Sequence, residues 1–357
     1  MTIKVCYLAG REGTYSRTHN MLVALRLAGF EVVTCFPPDK ALGNYPKLLW
    51  QFMSRVRGCD VLVVGFYGQL LMPFARLLTR KPILFDVYVS TFGTMVDDRL
   101  EAKSDSLKAK VFWLSDHLSM RFADHVILES RDHIQRYAST YQVPSAKFSR
   151  LFLTSDETLM QRPPPRPDNP RFRVHFHGEY APFHGVDVII RAAKALESQG
   201  VDFQIVGTGI TYARDRALAK ELGVTNIDFI DRVPYGALAD YMCRADVCLG
   251  FFGDNPRAER VFTNKVVEAL AVGQPLITRR NDAVQELLRD GESALLVNPG
   301  DPEALVAAIL RLKNDPELRQ SLGRNGQRVF RENCSQTVFA EALKRAIEGL
   351  LSDAESR

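Results

Sequence analysis

Within the stretch Arg257–Pro275, RAERVFTNKVVEALAVGQP, a carboxylate, several cations and a helix start fall in one short passage. Upstream, Asp246–Phe251 (DVCLGF) is a short apolar run that reads as a buried strand, and downstream Pro275–Thr278 (PLIT) reads as the next. Between them Thr263 or Asn264 is placed to cap a helix. Its apolar positions Val266, Val267, Leu270 and Ala271 keep helical spacing until Gly273 ends it ahead of Pro275. Glu268 then sits about one turn inside.

That layout suits a nucleoside diphosphate. In parallel α/β sheets ligands bind outside the carboxyl ends of the strands, where this loop must lie. The helix start favours an anion through its free N–H groups, and Arg260 and Lys265 add positive charge for a diphosphate. Glu268, one turn further in, would accept hydrogen bonds from ribose hydroxyls. Taken alone, Lys265 and Glu268 also read as ordinary charges on an exposed helix face.

Elements to position such a site are present on both sides of a linker. The chain has 357 residues, 46% of them hydrophobic and 25% charged, the balance of a globular protein with room for two domains. Residues 162–171 open with RPPPRPDNP, whose five prolines continue neither a helix nor a central strand, so they read as a stiff linker. Residues 1–161 then form one domain and residues 172–330 a second, with residues 331–357 as a terminal helix returning toward the first. In the first half, strands at Ile3–Ala9, Glu31–Cys35, Val61–Val64, Pro82–Phe85 and Val126–Glu129 alternate with helices, the pattern of an open parallel sheet. The loop after the first strand, GREGTYSRTHN, lacks GxGxxG and weakens a nicotinamide dehydrogenase reading.

The Arg257–Pro275 passage resembles the signature of retaining glycosyltransferases of family 4, which carry a Glu, seven residues, then Glu-Ala. Glu268-Ala269 matches the second glutamate; Arg260 stands where the first is expected, and Glu259 is one residue out of register. The resemblance implies the GT-B fold, an α/β architecture of two Rossmann-like, doubly wound parallel-sheet domains facing a central cleft. It also implies a donor site in which Arg260, Thr263, Asn264 and Lys265 redefine the pocket. Gly178 opens the segment where related enzymes carry Gly-Arg and then Lys. Here Glu179 follows, and His184 is the replacement expected to donate to phosphate. His184 also reads as a loop histidine without a ligand. Gly207 and Thr208 resemble the family's glycine turn near the nucleotide, and Arg232 and Val233 its base-cradling loop. On the first half, Gly13 would approach the donor and Thr14 the acceptor. Asp86, at a strand end, is the candidate catalytic or sugar-orienting carboxylate, with Tyr88 and Ser90 on the acceptor side. A helix-cap or loop-fixing role for Asp86 stays open.

The activity implied is transfer of a sugar from a nucleotide-sugar donor to a hydroxyl acceptor with retention, in glycan, polysaccharide or glycolipid biosynthesis. No cofactor and no metal are implied. The acidic pair Asp97-Asp98 is expected to stay solvated. Two other readings share the donor site: a sugar-nucleotide epimerase and a non-catalytic nucleotide-sugar-binding protein. A sustained basic and aromatic array for nucleic acid is lacking in either half.

Charge and hydropathy bear on surroundings. Residues 1–168 hold 22 Lys plus Arg against 16 Asp plus Glu, whereas the rest of the chain is nearly balanced. Tyr45–Arg57 and Lys108–Arg121 mix Trp, Phe, Leu and Met with cations, as interfacial helices do, and core packing against the sheet is the reading that sequence favours. The six cysteines, scattered without a CxxC pair, read as free thiols. With no apolar run of about 20 residues and no separate signal peptide, the chain reads as cytosolic, with peripheral membrane contact through the first domain left open.

Overall fold

A computed structural model describes residues 2–11, 13, 15–39, 41–161 and 171–356. Thr14 and residues 162–170 of the proline-rich stretch lie outside the described residues. The chain divides into two compact units, Met1–Phe152 with Gln336–Arg357, and Leu153–Ser335.

In the first unit β1 (Lys4–Leu8), α1 (Ser16–Leu27), β2 (Glu31–Cys35), α2 (Tyr45–Val56), β3 (Val61–Val64) and α3 (Met72–Leu78) alternate. They are followed by β4 (Ile83–Asp86), α4 (Leu107–Phe122), β5 (His125–Leu128), α5 (Arg131–Thr140) and β6 (Phe148–Arg150). The strands form a parallel sheet of order β2-β1-β3-β4-β5-β6. β3 (VLVV) and β4 (ILFD) are buried throughout, as central parallel strands covered on both faces must be. One face packs the apolar sides of α2, α3, α4 and α5 through Leu48, Phe52, Met72, Ala75, Met120 and Tyr137. The other packs α1 and the terminal helix through Met21, Leu25, Phe339 and Leu343.

The second unit runs β7 (Phe172–His177), α6 (Val186–Ala195), β8 (Val201–Val206), α7 (Tyr212–Glu221), β9 (Ile227–Ile230), α8 (Leu238–Cys243) and β10 (Val247–Leu249). It continues through α9 (Asn264–Ala271), β11 (Leu276–Arg279), α10 (Asp282–Gln285), β12 (Leu295–Val297), α11 (Pro302–Asn314) and α12 (Pro316–Asn333). The chain then returns to the first unit as α13 (Gln336–Glu355), laid against α1. The sheet order is β12-β11-β10-β7-β8-β9, all parallel. The chain leaves β7 toward one edge and comes back beside it as β10, so the topological switch point lies between these two strands, where such sheets open a crevice. Asp301 and Asp315, each followed by Pro, cap α11 and α12 by accepting from Ala304 N and Leu318 N at 2.8 Å each.

Two polar residues sit otherwise than the sequence suggests. Asp98 is buried, because Gly93–Asp98 winds into a wide helical turn that carries it inward instead of leaving it on an open loop. Ser90 is also buried: its Oγ accepts from Gly93 N at 2.7 Å and from the Tyr141 hydroxyl at 3.1 Å, so it staples the turn after β4. The staple continues to Asp116 of α4, which accepts from Thr91 N and Phe92 N at 2.9 and 2.8 Å and from Tyr141. Burial pushes the Asp116 carboxyl up to about 6. Its folded value therefore lies above the unfolded one, and acidification from pH 6 toward 4 relieves the cost of burying the charge. Replacing Asp116 by Ala orphans two backbone N–H groups; we expect a loss of about 2–4 kcal/mol in unfolding free energy, read by urea denaturation.

Candidate functional site

At the carboxyl end of β7 the side chains of His175 and His177 share one face of the strand, since alternate residues do. They form a buried chain. Gln204 Nε2 donates to Tyr241 O at 2.7 Å, which fixes its amide orientation, and donates to His175 Nδ1 at 3.0 Å. His175 must then carry its proton on Nε2, which meets His177 Nδ1 at 2.9 Å. His177 in turn carries its proton on Nε2 and donates to Glu268 Oε2 at 2.8 Å. Every donor in this chain has an acceptor when both imidazoles carry a single proton. Burial pushes the His175 pKa well down, in agreement. Neither histidine was singled out from sequence, although their alternation at positions 175 and 177 was the available signal.

Glu268 is a residue of α9, only 4% exposed, so the chain ties α9 to β7 across the switch point. Lys265 lies one turn before it, 5% exposed. Its side chain passes over Gly178: a Cβ built there would meet Lys265 Cε at 2.9 Å and Nζ at 3.0 Å. Gly178 has φ +147°, so a side chain is excluded by conformation as well as by space. The ammonium also stands 5.2 Å from the Phe176 ring centroid. Among the described residues it has no hydrogen-bond acceptor. Burial outweighs the attraction of Glu268 and Glu179 and pushes its pKa from 10.5 down to about 7. The Thr263 hydroxyl, at the N-cap of α9, is likewise buried without a partner and makes no cap hydrogen bond. Two polar groups that lack acceptors or donors thus meet at a helix start, which itself offers unsatisfied N–H groups.

Surrounding loops close on this point. Gly207 (φ +131°) follows β8 and abuts the Gly178 carbonyl, with no room for a side chain. Tyr180 N donates to Thr208 O at 3.1 Å, which joins the loops after β7 and β8. Phe252 N donates to His184 O at 2.9 Å, which joins the loops after β7 and β10. His184 is buried and its Nδ1 donates to the Glu179 carbonyl. Burial, then the charge of Lys265, push its pKa well below the usual value. The one proton of the neutral ring is committed to that carbonyl, and Nε2 presents a lone pair. Arg260 donates Nε to Pro256 O at 2.9 Å within its own turn. Arg257, which sequence gave no role, stacks on Phe183 at 4.4 Å beside His184. Asn264 is the first residue of α9, and Arg232 and Val233 lie in the loop after β9, at the same sheet edge.

In the first unit the corresponding edge carries Asp86, Tyr88 and Gly13. Asp86 is buried and paired in bidentate fashion with Arg17, Nε to Oδ2 at 2.9 Å and Nη2 to Oδ1 at 2.7 Å. The carboxylate is thus saturated by a guanidinium and is not an open acid or base. Arg17 lies over Tyr88, and Tyr15, Tyr67 and Tyr88 gather around Phe66, with Tyr15 stacked on it at 4.2 Å. Tyr67 and Tyr88 have φ of +56° and +25°, strained values for non-glycine residues. Gly13 packs on the Phe36 ring. A cavity of about 430 Å3 lined by Arg80, His125 and Arg345 opens among the residues that begin β4 and β5, at the opposite edge of this sheet.

Residues 171–315 match a family model described as glycosyl transferases group 1. An α-D-kanosaminyltransferase of Streptomyces kanamyceticus is 28% identical over 298 residues, 80% of this chain and 74% of its own. Most other curated relatives, however, are spanned over less than half of their length. Among solved structures, sucrose-phosphate synthase of Thermosynechococcus elongatus superposes with a TM-score of 0.81 at 17% identity, covering 99% of this chain and all of that one. HepE of Anabaena, in complex with UDP and glucose, gives 0.76 at 14% identity over 97% of this chain and all of that one. The fold is GT-B, and within its second unit residues 171–315 are what match the group 1 glycosyl transferase model.

Proposed function

We propose that the protein is a retaining glycosyltransferase of family 4 that moves a sugar from a nucleotide-sugar donor to a hydroxyl acceptor. The observation that carries this reading is Lys265: a buried ammonium without an acceptor, over a glycine, at the start of the switch-point helix. Such a group is stabilised by a diphosphate, and a diphosphate is what departs in this reaction. As negative charge builds on the leaving phosphate, Lys265 Nζ and the N–H groups of α9 are already aimed at it. Glu268, held through Oε2 by His177, keeps Oε1 for the ribose hydroxyls. The half-buried rings of Tyr15 and Tyr88, backed by the buried Phe66, offer faces for the sugar rings of an acceptor, with Arg17 fixed behind them by Asp86. The free thiols among the described residues fit a reducing compartment. Retention and family 4 membership rest on the Glu268-Ala269 signature. A glycan, polysaccharide or glycolipid acceptor is part of the same proposal.

The test is incubation with a panel of nucleotide sugars and hydroxyl acceptors, following nucleoside diphosphate release and the anomeric proton of the product. Binding without transfer or hydrolysis across the panel would sink the catalytic reading, and an inverted product the retaining one.

Two variants separate the groups at the donor site. Lys265→Met removes a buried cation whose pKa is depressed. Between about pH 7 and 10 the folded protein binds fewer protons here than the unfolded chain, so this group makes stability rise with pH and subtracts from it as pH falls. The variant should melt no lower than the parent at pH 7 without ligand, yet lose diphosphate affinity about 100-fold, on the scale of a charge-assisted contact. Equal affinity would remove Lys265 from the site.

His177→Leu leaves the Glu268 carboxylate buried without its donor. Nucleotide affinity should fall about 10-fold at pH 7, while His177→Gln, which can still donate, restores most of it. Isothermal titration calorimetry reads both.

A further inference from the structure

The cavity of the first unit takes no part in the donor chemistry. At about 430 Å3 it falls in the range of small-molecule sites, and it opens where β4 and β5 begin. One wall comes from Arg76 of α3 and Arg80 just beyond it, another from Asp124, His125 and Ser149 at the strand starts, and a third from α13 through Arg345, Gly349 and Asp353. An adjoining cavity of about 570 Å3 shares Arg76, Asp124, His125 and Asp353 and adds Arg121 and Lys147. Five cations and two carboxylates line the pair, so an anion is the ligand this edge attracts.

Part of that charge has a local purpose. Helices end at this edge, and cations satisfy their last carbonyls. Arg76 donates to Phe122 O at 3.0 Å and pairs with Asp124, and Lys147 donates to Arg121 O at 2.7 Å. Arg80 and Arg345 are different. Both are exposed, and among the described residues neither has a hydrogen bond or an ion pair. Arg345 stands in the middle of α13, where no helix end calls for a cation.

The shape of α13 supplies an independent observation. Arg345, Gly349 and Asp353 fall four residues apart and so share one face of the helix. Glycine weakens a helix interior relative to alanine, and packing gives no reason for it here, since a Cβ built on Gly349 meets nothing within 4 Å. The missing side chain is cavity space between an unpaired guanidinium and a carboxylate. Across that space His125 Nε2 meets Ser149 Oγ at 2.8 Å. Burial, against the attraction of Asp353, holds the His125 pKa below its usual value, so the ring adds hydrogen bonding without charge. The lining therefore offers two unpaired guanidiniums for an oxyanion, and a carboxylate, a hydroxyl and a neutral imidazole for hydroxyl groups.

We infer that this cavity binds the phosphate monoester of a small polyhydroxylated molecule, with Arg80 and Arg345 on the phosphate and Asp353 and Ser149 on the hydroxyls of its body. A dianionic phosphate suits two forked guanidiniums better than a single carboxylate does, because it presents three terminal oxygens to them. The bound ester would join the starts of β4 and β5 to α13, the helix by which the chain returns to this unit. Lys265 and Glu268 belong to the other unit, and the inference does not rest on the donor reading.

The probe is glycerol phosphate, titrated calorimetrically into the full chain, with glycerol as the uncharged control and inorganic phosphate as the control without a body. The ester should bind about 10-fold more tightly than inorganic phosphate, and glycerol should not bind. Arg80→Ala with Arg345→Ala should weaken the ester about 100-fold, with an unchanged circular dichroism spectrum because neither side chain has a partner to lose. Gly349→Leu should abolish binding by filling the cavity, yet melt no lower than the parent, since it replaces a glycine inside a helix. Lys265→Met should leave the affinity for the ester unchanged. Vesicles containing phosphatidic acid separate a lipid phosphate from a soluble one, and binding to them alone overturns the inference. So does an ester that fails to bind or binds no better than inorganic phosphate, binding that survives both cavity variants, or binding that Lys265→Met removes.

Discussion

The second unit depends on giving one carboxylate a hydrogen-bond donor out of water. Glu268 is buried, and a buried carboxylate without donors is costly. The chain from Gln204 through His175 and His177 supplies the donor and does so with no net charge of its own, because each neutral ring hands its one proton to the next acceptor. The consequences are geometric. A helix that follows β10 is fastened to the end of β7, and the loops between them have no freedom to drift. The glycines at 178 and 207 then follow, since two backbones and the Lys265 side chain share the space that their side chains would occupy. A site held by strands and a helix in this way keeps its donors in place before a ligand arrives, which is the condition for stabilising charge as it develops.

The two units contain contrasting buried cations. Arg17 is closed: both its contacts to Asp86 are short, the pair is almost fully buried, and aromatic rings cover the rest. Removing either partner would strand the other charge, so the pair sets the shape of the edge after β4 and has nothing left to offer a ligand. Lys265 is open: its hydrophobic stem and the Phe176 ring desolvate it, and no oxygen compensates. The difference between a cation that organises a loop and one that awaits an anion lies in this pairing, and it is visible only once the partners are known.

That distinction explains what sequence could and could not reveal. Strands such as Glu31–Cys35 and Val61–Val64 are legible because alternation and apolar runs are local properties. The helix over α9, its glycine stop and the proline-led caps of α11 and α12 are local too. The Arg17–Asp86 pair spans 69 residues and the His177–Glu268 contact 91, and no periodicity connects such positions. Sequence therefore offers Asp86 as a catalytic, sugar-orienting or loop-fixing carboxylate and Ser90 as a polar group on the acceptor side, without the partners that long-range packing gives them. His184 depends on a subtler point. A histidine in a loop is a donor or an acceptor according to what its other nitrogen touches, and the Glu179 carbonyl decides that here.

The signature's missing glutamate acquires a physical meaning from the same geometry. Where related enzymes place a carboxylate, Arg260 turns back onto Pro256 of its own turn. Meanwhile, the arginine and lysine usually found after the first strand of this domain are replaced by Glu179 and a neutral His184. Under the proposed donor reading, the charge for a diphosphate would be concentrated on Lys265, with Arg257 on Phe183. A site with fewer fixed cations suffers less self-repulsion when empty. Lys265 also sits near its titration point, at about 7, rather than fully charged. An arriving diphosphate would shift that equilibrium toward the ammonium, so binding and proton uptake are linked at Lys265 by the same desolvation that holds it ready.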